Sequence, residues 1–153
     1  MKDFMNWFSV KHALGDGADI TATTHGDSID VTALNGGNDA LCFIVDVGVV
    51  TDGTHTLTLE DSIDGGTTWV TVAAPYLQVP SGQSNVVTNA TAAKTIKKFG
   101  YLGNANVGTL ANSVAPTGGK VLVRITDTVA TATTGGYMTA VAVLGYPFNL
   151  PAA

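Results

Sequence analysis

At 153 residues and 15.6 kDa the chain has the length of one domain with a substantial core, since chains of this size bury about 70% of their unfolded surface. Hydrophobic residues make up 45% and charged residues only 12%, against a usual figure of about 25%, which excludes intrinsic disorder, and no apolar run reaches the roughly 18 residues of a membrane helix. A net charge of -5 argues against broad contact with nucleic acid, whose phosphates require Lys and Arg.

Phe4, Met5, Trp7, Phe8 and Val10 crowd the first ten residues, and the polar and charged residues among them interrupt the apolar stretch of a secretory signal peptide. The expectation is synthesis in a reducing cytoplasm without export, in keeping with a single cysteine, Cys42, that has no partner for an internal disulfide. Residues 1–20 read as an N-terminal arm. Beyond them Val, Thr and Ile recur with a period of two, the pattern of strands on a half-buried surface. Strands are predicted at 28–34, 40–47, 54–61, 68–73, 84–88, 95–102, 120–126 and 137–144, separated by turn signals such as Asn35-Gly36-Gly37-Asn38, Thr51-Asp52-Gly53, Asp64-Gly65-Gly66 and Thr134-Gly135-Gly136. About eight short antiparallel strands at such spacing predict an all-β single domain over 21–145, a β-sandwich or jelly roll. A turn or two of helix is expected only around 90–98. Tyr146-Pro-Phe-Asn-Leu-Pro then brings two prolines that preclude a regular strand, so 146–153 read as a C-terminal arm. Apolar arms of this kind either dock on a partner or fold back on their own domain.

Residues 55–60 alternate, with Leu57 and Leu59 facing one way and Thr56, Thr58 and Glu60 the other, which gives that strand one wet face. The runs 41–45 and 138–144 are continuously apolar and read as central strands covered on both faces. One protomer has little material to cover both strands twice, which points to cover from a neighbouring chain. Charge is divided along the chain: residues 1–64 carry eleven acids and two lysines, a net of -9, and residues 65–153 carry Asp127 and five bases, a net of +4. The halves complement each other, within one domain or between neighbouring subunits. Lys94, Lys97 and Lys98 lie beside Phe99 and Tyr101, but no second basic stripe supports a nucleic-acid groove.

Ser62-Ile-Asp-Gly-Gly-Thr-Thr-Trp69 is the sharpest local motif, with Ser62, Asp64, Gly66, Thr68 and Trp69 in the positions of S-x-D-x-G-x-T-W. It resembles the Asp-box of sialidase-type β-propellers, a hairpin device in which Asp caps turn amides, glycine supplies a positive φ and Trp packs under the next strand. A sialidase implies several copies and an arginine cluster, whereas the chain has one copy and one arginine, Arg124, so the motif reads as turn chemistry joining strands 54–61 and 68–73. His12, His25 and His55 lack the close spacing of zinc sites and read as surface or loop histidines. Asp16, Asp19, Asp27 and Asp30 lack the EF-hand pattern, and Cys42 within Leu-Cys-Phe-Ile-Val reads as an inert core thiol. Glu60, Asp61 and Asp64 lie close on one hairpin and read as a solvated strand end rather than a hydrolase pair. No catalytic, cofactor or metal site is expected.

Three passages, 57–69, 120–126 and 138–147, give a strand ending in E-x-S-x-D-G-x-x-x-W, a V-R-I strand and an apolar strand near the end. In this style the chain resembles the small head decoration, or cement, proteins of tailed bacteriophages. The resemblance implies a non-enzymatic virion protein on the outside of the expanded capsid, made in the host cytoplasm. Its implied partners are the major capsid protein and further copies of itself, often as a trimer, with no membrane or nucleic-acid contact. It also implies Phe4, Trp7 and Phe8 as anchors of one arm, and Tyr146, Phe148 and Leu150 as anchors of the other. The alternatives are a tail or fibre-associated β module and, in a different class, a carbohydrate-binding module or small hydrolase.

Overall fold

The structure is a computed structural model that describes residues 8–31, 40–104, 108–109 and 120–145. In chain order its strands are β1 (Phe8–Leu14), β2 (Thr24–His25), β3 (Ile29–Asp30), β4 (Ala40–Val50), β5 (Thr54–Ser62), β6 (Val70–Thr71), β7 (Leu77–Gln78), β8 (Val86–Thr88), β9 (Thr95–Tyr101), β10 (Gly103–Asn104), β11 (Gly108–Thr109), β12 (Leu122–Ala130) and β13 (Gly136–Gly145). One 3-10 turn, Ala74–Tyr76, is the only helical element among the described residues. All pairings are antiparallel: one sheet runs β1-β13-β4-β9-β7, a second β2-β12-β5-β6, with β3 also on β12 and β8 also on β5, and β10 with β11 form a two-stranded third.

The all-β single domain is β-sandwich-like. Alternation sends Leu41, Phe43, Val45 and Val47 of β4, Phe99 and Tyr101 of β9, and Met138, Ala140 and Ala142 of β13 inward from the first sheet. Leu57 and Leu59 of β5, with Val123 and Ile125 of β12, meet them from the second. Tyr101 Oη donates to the buried Asp61 Oδ2 at 2.9 Å, joining the two sheets through the core. At one flank Gly26 N donates to Ile125 O and Asp27 N to Ala13 O, both at 2.8 Å, so one short segment ties β12 to β1. Only glycine allows that approach, because a Cβ at position 26 would lie 2.0 Å from Ala13 O.

With β7 and the β10–β11 pair left aside, and β2 with β3 and β6 with β8 counted as one segment each, the order in sequence numbers is 1-8-3-6 in one sheet and 2-7-4-5 in the other. Every connection then crosses between sheets except the hairpin from β5 to β6. The two ends of the sandwich differ. At one, Asp52 Oδ1 accepts from Thr133, Thr134 and Gly135 amides at 3.2, 3.0 and 2.6 Å, stitching the short turns 51–53 and 131–135 together. Those amides, Gly135 foremost, hold the Asp52 carboxyl below its usual range.

Several expectations change. Residues 8–14, assigned to an arm, form the edge strand β1, because Phe8, Val10 and His12 alternate with Ser9 and Lys11 and pair with β13. The arm therefore cannot span 1–20, and Phe8 is a half-buried sheet residue. The segment 68–73 contributes only two strand residues, since Thr68 and Trp69 belong to the turn. Around 90–98 there is a turn with Lys94 at φ 67 and then β9, not a helix. The runs 41–45 and 138–144 are central, and the described residues cover them on one face only: Val141 is 37% exposed, and Cys42 and Ile44 are half-buried on the side away from the core. Acids of the first half do meet bases of the second within the domain, at Glu60–Arg124 (2.8 Å) and Asp30–Lys120 (3.4 Å).

Candidate functional site

β4 runs from Ala40 and β5 returns to Ser62, so one end of the sandwich carries Ala40, Ser62, Leu122 and Tyr101 together. Phe8 is paired with Gly145, and Gly145 with Ala40. Hence 1–7 and 146–153 leave neighbouring strands at this same end, and 32–39 and 110–119 continue from it as well. Phe4, Trp7, Tyr146, Phe148 and Leu150 lie outside the described residues; Phe8 marks where the first of the two segments joins the sheet.

The hairpin at this end is built by its side chains. Asp64 Oδ1 accepts from Thr68 N at 2.9 Å, Thr67 N at 3.0 Å and Ser62 Oγ at 2.7 Å, while Ser62 Oγ accepts from Gly66 N at 2.9 Å. Gly65 and Gly66 take φ of 75° and 95°, which L side chains adopt only with strain. Trp69 Nε1 donates to Gly66 O at 3.0 Å, and Arg124 lies 4.0 Å over the indole while its Nε donates to Glu60 Oε2 at 2.8 Å. The expected hairpin device of Ser62, Asp64, Gly66 and Trp69 is thus formed, and the guanidinium occupies an indole face that a stacked sugar would need.

The Thr68 amide and the Ser62 hydroxyl, with further amides, hold the Asp64 carboxyl down to about 2. A depressed carboxyl stabilises above its ordinary value of about 4 and loses that contribution as pH falls through the folded value. The Thr67 and Thr68 amide resonances should therefore titrate with a midpoint near 2, and Asp64→Asn should abolish the step. A midpoint near 4 would contradict the capping geometry.

Other candidate groups do not converge. Alternation sends Glu60 to the outer face and Asp61 inward to Tyr101, while Asp64 is spent on the turn, so the three carboxyls share no cleft. Burial alone would raise Glu60, but hydrogen bonds from Thr126 and Arg124 bring its carboxyl below the usual range. Lys97 points inward and donates to Ser84 O at 2.6 Å, whereas Lys98 is exposed, which splits the lysine cluster between faces. Burial pushes the Cys42 thiol up, away from thiolate chemistry. A cleft beside β1 holds His12, Asp16, Asp19, His25 and Asp27. There His12 Nδ1 meets Asp27 at 2.7 Å, and that bond chiefly raises the imidazole. Among the described residues no three of His, Cys, Asp and Glu are placed to hold a metal.

His55 departs from the surface or loop placement expected of it. It is fully buried, with Nδ1 2.7 Å from Asp127 Oδ2, while His55 Nε2 and Asp127 Oδ1 have no hydrogen-bond partner. Burial pushes the Asp127 carboxyl up, against the pull of His55. The signal was the alternation itself, which puts residue 55 on the face of Leu57 and Leu59.

Set against protein-family models, curated proteins and solved structures, the chain matches none of them.

Proposed function

We propose that this is a structural virion protein, a phage head decoration protein that binds the outside of the mature capsid and steadies it against internal DNA pressure. Its partners are the major capsid protein and further copies of itself, and its domain is a jelly-roll-like module whose 1-8-3-6 and 2-7-4-5 strand orders interleave. It works by binding, without catalysis. One observation carries the proposal: Phe8 and Gly145, to which the sequence stretches 1–7 and 146–153 with their Phe, Trp, Tyr and Leu are joined, lie at the same end of the sandwich as the capped hairpin. An end of that kind presents an oriented, multivalent contact to a shell, while the opposite end is closed by short stitched turns. A ligand stabilises the state it binds, so selectivity for the expanded lattice is the property required.

Purified protein mixed with expanded heads or with procapsids and then sedimented should pellet with the former alone. Deleting residues 1–7, which leaves β1 whole, should weaken that pelleting. Binding to procapsids alike would overturn the proposal, and binding to tails alone would reassign the chain to a tail module.

A further inference from the structure

The outer faces of the two sheets differ in chemistry. That of β5 and β12 carries Thr54, Thr56, Thr58, Glu60, Arg124, Thr126 and Thr128, the polar surface an antiparallel sheet shows to water. That of β1, β13, β4 and β9 carries Val10 (52% exposed), Val141, Val143, Cys42, Ile44 and Ile96 (50% exposed), with His12 and Thr139 toward its margins. Aliphatic side chains on both faces of β4 and β13 mark an interaction surface.

The polar residues on this apolar face say what covers it. Register sets Asp46 beside Ile96 and Ile44 beside Lys98, so the four form a quartet with one charged diagonal, Asp46–Lys98, and one apolar diagonal, Ile44–Ile96. Asp46 and Lys98 are both exposed, and neither makes an ion pair among the described residues. A two-fold axis lying in the interface as the perpendicular bisector of the charged diagonal exchanges its two ends. Each Asp46 then sits over the other copy's Lys98, and Ile44 lies close to its own counterpart. An isologous contact must be self-complementary, and this exchange makes the charged pair complementary to its own copy. Four strands at about 4.8 Å spacing and seven paired residues at about 3.4 Å rise give a face of about 460 Å², so two copies bury about 900 Å², the size of a weak, reversible contact.

We propose that a second copy of this chain covers the outer face of the β1-β13-β4-β9 sheet through a two-fold contact. The contact names the self-association in the function proposed above and rests on that proposal only for its purpose: the sheet flank meets the copy, and the chain-end face is left for the shell. Two-fold symmetry makes the solution species a dimer rather than the trimer the phage resemblance implies.

Analytical ultracentrifugation of the full chain tests this. The wild-type protein should sediment as a dimer, and Asp46→Lys and Lys98→Asp should each weaken the dimer by about tenfold or more, as like charges oppose across the contact. The double exchange, Asp46→Lys with Lys98→Asp, should restore it, which a merely structural role for either residue would not do. A monomer at about 100 μM, a trimer, or singles indistinguishable from wild type would overturn the inference. Head pelleting measured on the same variants separates the two proposals: monomeric protein that still pellets with expanded heads defeats only the two-fold contact, and a dimer that ignores heads defeats only the decoration function.

Discussion

Replacing His55 with leucine should lower the free energy of unfolding by about 3–5 kcal/mol, the cost of breaking a buried pair and leaving one polar partner alone. His55 and Asp127 are both 0% exposed, on adjacent strands of the second sheet, and Val87 and Val129 flank the imidazole in register. With the imidazole gone, Asp127 Oδ2 loses its 2.7 Å partner, and Oδ1 already has none. Nothing apolar nearby can satisfy a carboxyl in that position. Adding Asp127→Leu to His55→Leu should recover most of the loss, since replacing both members of a buried pair with packed hydrophobic side chains is often neutral or stabilising. Urea denaturation checks both variants through the midpoint at unchanged slope. A single-variant loss below about 1 kcal/mol would mean the pair is hydrated.

Short-range patterning made part of this legible. Period two over 55–60 predicts the inward Leu57 and Leu59, and the spacing of Ser62, Asp64, Gly66 and Trp69 predicts a capped hairpin, because each depends on residues a few positions apart. Sheet order was not legible, since β1 pairs with β13 across almost the whole chain and no local signal encodes that pairing. The aromatic cluster at the start hid the alternation of Phe8, Val10 and His12, so a strand looked like an arm. The His55–Asp127 pair needs the register of β5 on β12, across 72 positions, before either residue has a partner. The apolar excess of 41–45 and 138–144 raised the expectation of cover from a neighbouring chain, and only the sheet order shows that their outward sides lie on one face.

On the proposed decoration function, the second large effect belongs to the capsid. A subunit that binds only the expanded lattice stabilises it by about 2.7 kcal/mol per occupied site at a hundredfold excess over Kd, and the sum runs over every site on the shell. The stabilisation follows the logarithm of one plus free protein over Kd, so a shell under pressure should fail at a temperature that begins to climb once free protein exceeds Kd. Heating DNA-filled heads prepared without this chain, across a series of added purified protein, and recording the temperature of half-maximal DNA release is the most direct measurement. That temperature should stay flat below Kd and rise logarithmically above it; heads that release DNA at the same temperature with every site occupied would show that the protein does not cement the shell.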